Sequence, residues 1–146
     1  MQQIFTIGYE GRTILEVMRI LESNNIRCLV DVREYPNSRK RGFSKSQLQA
    51  ALTERGIRYL HMKELGTPKE IRQELRLTGD YEGFFRKYRS HLKQQDGIQE
   101  RLLGLLDGGP LCFLCYERSA ARCHRSAVVD FIKQLHQRPV VVVEHI

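Results

Sequence analysis

The sequence predicts an α/β fold: one domain with a mainly parallel five-stranded sheet and helices on both faces. Short runs of valine, isoleucine, leucine and aromatic residues alternate with amphipathic segments long enough to connect parallel strands. Capping boxes and glycine or proline stops separate these segments. Because no repeat, low-complexity tract or composition shift divides the chain, we expect residues 1–146 to form a single Rossmann-like domain.

Five apolar runs have the composition of buried parallel strands. The last of them, with four consecutive valines, is the clearest. In chain order, the predicted strands are Ile4 to Gly8, Arg27 to Val32, Ile57 to His61, Leu111 to Tyr116 and Val140 to His145.

Three capping boxes mark helix starts, because a Thr or Ser hydroxyl three residues before Glu or Gln caps the first helical turn. These boxes begin at Thr13, Ser44 and Thr67. Pro68 follows the last of them, at the first helical position.

Aromatic residues recur at steps of three and four between Tyr81 and Leu92, with basic residues between them. This spacing predicts a helix whose aromatic rings lie in the core and whose charges face solvent. The alternative is a basic, aromatic face for nucleic acid. A further helix is expected from Ile98 to Leu106.

The composition, 41% hydrophobic and 28% charged, is that of an ordinary globular domain. No apolar run approaches the roughly 20 residues of a membrane span, and the N-terminus lacks the pattern of a signal peptide. We therefore expect a cytoplasmic protein with no membrane partner. In that reducing compartment the four cysteines are expected to be thiols, metal ligands or catalytic groups rather than disulfides.

The net charge of +7 is concentrated in two segments. Residues 33–45 hold five basic residues and one acid, giving +4, and residues 118–125 hold three arginines, giving +3. A charge confined to two loops favours a phosphate-bearing partner, either a nucleotide or a nucleic acid. The exposed basic run Arg39, Lys40 and Arg41 is the candidate nucleic-acid contact, and a solvated basic face is the alternative.

Polar residues follow four of the predicted strands. Because ligands collect at the carboxyl ends of parallel strands, we expect these residues to line one cleft. Three carboxylates among them, Glu10, Asp31 and Glu117, are candidate general bases. The loop after the first strand is too short for a dinucleotide fingerprint, and the chain has no Walker motif. The residues expected to converge are Gly8, Tyr9, Asp31, Arg33, His61, Cys115 and Glu117.

Cys115 is the candidate nucleophile, because it ends a strand next to Arg118, Arg122 and the start of a helix. Positive charge and a helix N-terminus both favour a thiolate. The arrangement is similar to the phosphate loop of cysteine phosphatases. However, six residues rather than five separate Cys115 from Arg122, and the loop is rich in alanine rather than glycine. A small buried cysteine without catalytic function is the alternative.

Arg33 and Arg125 are the candidate phosphate ligands, since a guanidinium group can bind phosphate through two nitrogens. Arg122, His124 and the backbone at the helix start would add hydrogen-bond donors, with Gly8 and Tyr9 nearby. Alternatively, Arg125 pairs with Glu117 or Asp31 and only shapes the turn.

The sequence does not favour a metal site, and it leaves the cofactor unknown. Cys112 and Cys115 are three residues apart on a strand and therefore point to opposite faces. Cys123 and His124 are adjacent residues near a helix start, where side chains diverge by about 100°. The donors Cys115, Cys123 and His124, with His61 or Glu117, are suitable for zinc or iron, but this geometry argues against chelation.

The chain resembles the uncharacterised DUF-488 family over nearly its full length. The resemblance implies a small α/β fold whose activity is not settled, and some relatives carry DNA-repair labels. It rests on Thr6-Ile7-Gly8-Tyr9, on Asp31-Val32-Arg33 with Pro36 and Ser38, on Gly56-Ile57 with Tyr59 and Leu65-Gly66, and on Cys115-x-Glu117 with Cys123-His124-Arg125.

Two functions are compatible with these residues. The first is an enzyme that acts on a nucleotide or on a nucleic-acid end or base, with Cys115, Glu117, Asp31 or Glu10 as catalytic groups. The alternative is a nucleic-acid-binding or DNA-repair accessory module without catalysis. The sequence leaves the substrate and the oligomeric state open.

Overall fold

A parallel sheet forms the centre of the structure, a computed structural model that describes residues 2–119, 123–135 and 141–146. Four strands lie in the order β3-β2-β4-β1, and β5 pairs with the other side of β1. All of these pairings are parallel. The strands are β1 (Gln2–Gly8), β2 (Cys28–Asp31), β3 (Arg58–His61), β4 (Leu111–Cys115) and β5 (Val141–His145).

The described helices alternate with the strands, apart from three consecutive helices between β3 and β4. Short 3-10 turns at Lys63–Leu65 and Leu106–Gly108 extend two of the connections. None of the described helices is both long and apolar enough to cross a membrane. The helices are α1 (Ile14–Ser23), α2 (Lys45–Glu54), α3 (Lys69–Thr78), α4 (Tyr81–Lys93), α5 (Ile98–Leu105) and α6 (Arg125–Leu135).

The predicted α/β class, with a parallel sheet and helices in one domain, is confirmed. The closer likeness to a dinucleotide-binding fold is not confirmed, because β4 lies between β2 and β1 where that fold pairs the first two strands directly. Insertion of β4 at this position brings the end of β4 to the middle of the sheet, between the ends of β1 and β2.

Each face of the sheet has its own apolar core, because successive side chains of a strand point to opposite faces. Cys112 and Leu114 of β4 pack with α1 and α2, whereas Phe113 and Cys115 pack with α4, α5 and α6. Every residue of β4 is buried, as expected for a central parallel strand. The predicted opposition of Cys112 and Cys115 is therefore correct.

The aromatic stripe of α4 lies in the core, as its spacing predicts. Phe84 and Tyr88 are buried, and the Tyr88 hydroxyl donates a hydrogen bond to the carbonyl of Leu65. Arg86 and Arg89 face solvent. The alternative of a basic, aromatic face on this helix is not supported.

Two of the three predicted helix starts agree with the structure, and one does not. Thr13 caps α1 by accepting a hydrogen bond from Glu16 N at 3.1 Å. Helix α2 begins directly after Ser44 as predicted, but the Ser44 side chain makes no capping hydrogen bond, and Gln47 accepts from Gly42 N instead. The prediction at Thr67 is wrong, because Pro68 is the residue before the first turn of α3 and Thr67 is buried instead.

Candidate active site at the carboxyl ends of the strands

A cleft of about 350 Å³ opens where β1, β2 and β4 end. Five of the predicted site residues line it, namely Tyr9, Arg33, Cys115, Glu117 and His124. The ends of neighbouring parallel strands bring these side chains together. Helix α3 contributes the facing wall. Other predicted residues lie behind the cleft or away from it: Gly8, Glu10, Asp31, His61 and Arg125, whereas Arg122 is outside the described residues.

Asp31, behind the cleft, and Arg33, in its wall, form a buried ion pair. The Arg33 Nε and Nη2 atoms donate to the two carboxylate oxygens of Asp31 at 2.9 and 2.6 Å. The backbone N–H of Arg33 and the Tyr59 hydroxyl add two more hydrogen bonds to Asp31, at 3.1 and 2.7 Å. With these four bonds Asp31 is a structural anchor, and the geometry gives no support for its predicted role as a base.

Arg33 is held on both sides of its guanidinium group. Its Nη1 atom donates to the Phe43 carbonyl at 2.7 Å and to the Tyr9 hydroxyl at 3.3 Å. Burial opposes the charge of Arg33, but hydrogen bonds and the charge of Asp31 outweigh burial, so the pKa of Arg33 is raised. Arg33 is therefore a fixed cation in the cleft wall, with few donors left for a ligand.

Gly8 positions the residues that follow β4. A Cβ atom at Gly8 would lie 1.7 Å from the carbonyl oxygen of Glu117, so only glycine allows the two chains to approach this closely. The contact continues beyond the strands, where Tyr9 N and Glu10 N donate to the carbonyls of Cys115 and Tyr116 at 3.2 and 2.8 Å. The exit of β4 is thereby fixed to that of β1.

Cys115 lies at the floor of the cleft among polar groups. Its Sγ atom is 3.0 Å from Arg125 Nη1 and 3.4 Å from Glu117 Oε2. Arg125 is almost fully buried, and its Nη1 and Nη2 atoms also donate to the carbonyls of Glu117 and Arg118. Arg125 thus holds the turn in shape, but through backbone carbonyls rather than through the expected pairing with the side chain of Glu117 or Asp31. In the reduced protein its positive charge would favour a thiolate at Cys115.

Glu117 is the carboxylate best placed for proton transfer. Burial raises its pKa, the charge of Arg125 partly opposes that rise, and the charge of Glu10 adds to it. The raised pKa makes the protonated form of this carboxyl group more favourable than it is in water. Glu10, by contrast, is exposed and accepts a hydrogen bond from Arg118 N at 3.1 Å.

His124 has a fixed orientation. Its Nε2 atom lies 2.9 Å from the carbonyl oxygen of Val32, to which it donates, so Nδ1 carries the free lone pair. Burial lowers the pKa of His124 to about 4, and the ring is therefore neutral at pH 7. The edge of His124 also contacts the ring of Tyr88, with centroids 5.2 Å apart.

Cys115, Cys123 and His124 form a group of possible metal ligands. One donor atom from each lies within 4.8 Å of the other two. Cys115 and Cys123 form a disulfide in the structure, with Cα atoms 7.6 Å apart, whereas Cys28 and Cys112 are free thiols. The expectation that the cysteines form no disulfide is therefore wrong for this pair, because β4 and the segment before α6 bring the two sulfur atoms together. The predicted divergence of Cys123 and His124 is wrong, because both residues precede α6, which begins at Arg125, and helical geometry does not apply to them.

The rim of the cleft carries arginines and exposed tyrosines that the sequence analysis missed. Arg72 and Arg76, four residues apart on α3, face the cleft, and Arg72 also binds Glu34 at 3.2 Å. Tyr35 and Tyr116 are 58% and 50% exposed at its edge, a large exposure for aromatic side chains. The only sequence signal for the arginines is their helical spacing.

The basic run is only partly exposed. Arg39 and Arg41 face solvent, but Lys40 is half-buried and donates from Nζ to the carbonyl of Tyr9 at 3.1 Å. Its ammonium group also lies 5.7 Å from the centre of the Phe43 ring. The expectation that Lys40 is exposed is therefore wrong, and none of these three residues lines the cleft.

Comparison with known proteins identifies the family. A family profile described as a domain of unknown function, DUF488, matches residues 13–132, which include the residues around Asp31 and those from Cys115 to Arg125. Searches of curated proteins and of solved structures found no match. Because the profile covers most of the chain, this protein belongs to the DUF488 family.

Proposed function

We propose that this protein is an enzyme that acts on a phosphate-bearing substrate, a nucleotide or a nucleic-acid end or base, in the cleft at the carboxyl ends of the strands. The observation that carries the proposal is that Cys115 and Glu117 share this cleft with three arginines and two exposed tyrosines. Reactive, cationic and aromatic groups together suit a substrate with a phosphate and a flat ring.

In this proposal α3 binds the phosphate. Arg76 is exposed and Arg72 is partly exposed, so both can turn towards a ligand. Arg33 and Arg125 are the ligands expected from the sequence. In this proposal they contribute mainly a positive field, because carboxylate, carbonyl and sulfur atoms already bind most of their guanidinium donors, and the remaining Nε of Arg125 is buried. Tyr116 and Tyr35 offer ring faces on which a base can stack.

Cys115 and Glu117 supply the chemistry. The side chain of Glu117 can pass a proton to or from the substrate, since burial raises its pKa. When the disulfide to Cys123 is reduced, Cys115 presents a sulfur atom whose ionised form Arg125 stabilises. Both side chains line the same cleft as the two arginines of α3.

A nucleic-acid-binding module is the second candidate function. The exposure of Arg39 and Arg41 favours it, because backbone phosphates require only accessible cations. A role in DNA repair would fit this second function. Both functions are proposed for a cytoplasmic protein.

Binding and turnover measurements separate the two functions. We would titrate nucleoside monophosphates and short oligonucleotides at two salt concentrations and assay each for product formation. For an enzyme, Arg76→Ala should weaken binding about tenfold, and the matched exposed variant Arg41→Ala should bind nearly as wild type. Glu117→Gln should bind normally but lose at least about a hundredfold in turnover.

The opposite pattern supports the binding module. Oligonucleotide binding that falls with Arg41→Ala, is unchanged in Arg76→Ala and yields no product in wild type would contradict the enzyme proposal.

A further inference from the structure

We propose that reduced Cys115 and Cys123, together with His124, bind a zinc ion at the floor of the cleft. The three side chains come from two segments, the end of β4 and the residues just before α6. Their donor atoms lie within 4.8 Å of one another. Two thiolates and one imidazole are a donor set that zinc prefers.

The distance between the Cα atoms of Cys115 and Cys123 suits two thiolates bound to one metal ion better than it suits a disulfide bond. Their Cα atoms are 7.6 Å apart, whereas disulfides usually span roughly 4.4–6.8 Å. A zinc ion with bonds of about 2.3 Å would hold two sulfur atoms roughly 3.8 Å apart, and therefore accommodates a wider backbone separation.

His124 is already oriented as a ligand. A metal-binding histidine usually donates its second ring N–H to a carbonyl or carboxylate group, which fixes the tautomer and the direction of the free lone pair. The 2.9 Å hydrogen bond from Nε2 to Val32 has this form. The other nitrogen, Nδ1, lies 3.8 Å from Cys123 Sγ, close to the ligand separation expected around a tetrahedral ion.

The residues around Cys115 and His124 suit a zinc site in which one coordination position is left open to the cleft. Arg125 donates to Cys115 Sγ at 3.0 Å and can stabilise the thiolate that a metal requires. Glu117 lies beside Cys115, at 3.4 Å, but is not one of the grouped donors. Three protein ligands leave a fourth position, and Cys115, His124 and Glu117 all line the cleft.

This inference deepens the proposed function and takes the substrate class from it. It assigns Cys115 the role of a metal ligand rather than that of a nucleophile. Glu117 lines the cleft beside Cys115 and is a neighbour of the open coordination position rather than a ligand.

Cobalt substitution tests the site without a substrate. The full chain is reduced, freed of metal with a chelator and titrated with Co²⁺, whose thiolate complexes absorb by sulfur-to-cobalt charge transfer. We expect stoichiometric binding with these bands and displacement of Co²⁺ by Zn²⁺. His124→Gln and Cys123→Ala should each weaken binding by more than the roughly 10- to 100-fold typical of an outer-shell change.

The matched control is Cys112→Ala, which removes a buried cysteine from the opposite face of the same strand and should keep the bands. Circular dichroism would verify that each variant is folded. If reduced wild type gives no sulfur bands, or if His124→Gln binds Co²⁺ as wild type does, the zinc site is contradicted. Nucleotide binding is measured in the same preparations, and its result does not depend on the cobalt bands. If the protein binds Co²⁺ but no nucleotide, the zinc site stands and only the proposed function is contradicted.

Discussion

Arg33 binds Asp31 through two guanidinium nitrogens, at 2.9 and 2.6 Å, where the side chain of Asp31 is fully buried. The two residues are two apart at the end of β2, so an extended chain directs their side chains to the same face. This pair fixes the direction in which the chain leaves β2 towards the cleft. It therefore links the stability of the fold to the shape of the site.

Asp31→Asn should destabilise the protein by about 3–5 kcal/mol, because it leaves the buried charge of Arg33 without its partner. The matched control is Glu22→Gln, which breaks the more exposed pair between Glu22 and Arg55 and should cost no more than about 1 kcal/mol. Urea unfolding gives both free energies. Equal losses in the two variants would show that the Asp31 pair is not the anchor described.

Gly8→Ala should disrupt the cleft, since the new Cβ would lie 1.7 Å from the Glu117 carbonyl oxygen and the exit of β4 would have to move. We expect a lower unfolding temperature and a loss of ligand binding. Gly104→Ala is the control, because its Cβ meets no atom within 4 Å and alanine favours a helix by up to about 1 kcal/mol. Unchanged stability in Gly8→Ala would refute this tight contact.

Lys40→Ala should destabilise the protein by about 1–2 kcal/mol, since Lys40 is half-buried and donates to the carbonyl of Tyr9. Arg41→Ala, one residue away and exposed, should change stability by no more than about 0.5 kcal/mol. Thermal unfolding of the two variants is a direct comparison. If Arg41→Ala lowers the unfolding temperature more than Lys40→Ala does, Lys40 does not have the structural role described.

Tyr116→Ala should weaken binding of a base-containing ligand by about 1–3 kcal/mol, the usual contribution of a base stacked on an aromatic ring. Tyr116→Phe should keep most of the affinity, because it retains the ring. Tyr81→Ala, which removes another exposed tyrosine that does not line this cleft, serves as the control. Equal affinity of the Ala and Phe variants for nucleotides would exclude stacking at Tyr116.

The fold follows from local sequence signals. Apolar runs locate the strands, Thr13 marks the start of α1, and aromatic spacing identifies the buried face of α4. The rule that ligands collect at the carboxyl ends of strands also brings Tyr9, Arg33 and Cys115 to one cleft, as observed. These features need only the chain direction and the periodicity of each segment.

Other features depend on packing between distant segments. The position of Arg76 over the cleft follows from how α3 returns to the sheet, and no local pattern encodes that path. Lys40 lies close to Tyr9 only because the loop after β2 folds back over β1. His124 and Cys123 were assigned helical geometry, although the helix begins one residue later. Sequence periodicity does not predict which side chains from distant segments will contact each other.

The central claim is that the cleft between α3 and the ends of the strands is the substrate site. A crystal structure of the reduced protein with a bound nucleoside monophosphate would test it most directly. We predict the phosphate within hydrogen-bond distance of Arg76 or Arg72, the base against Tyr116 or Tyr35, and the cleft floor at Cys115 facing the ligand. A nucleotide bound instead at Arg39 and Arg41, with the cleft unchanged, would contradict the account.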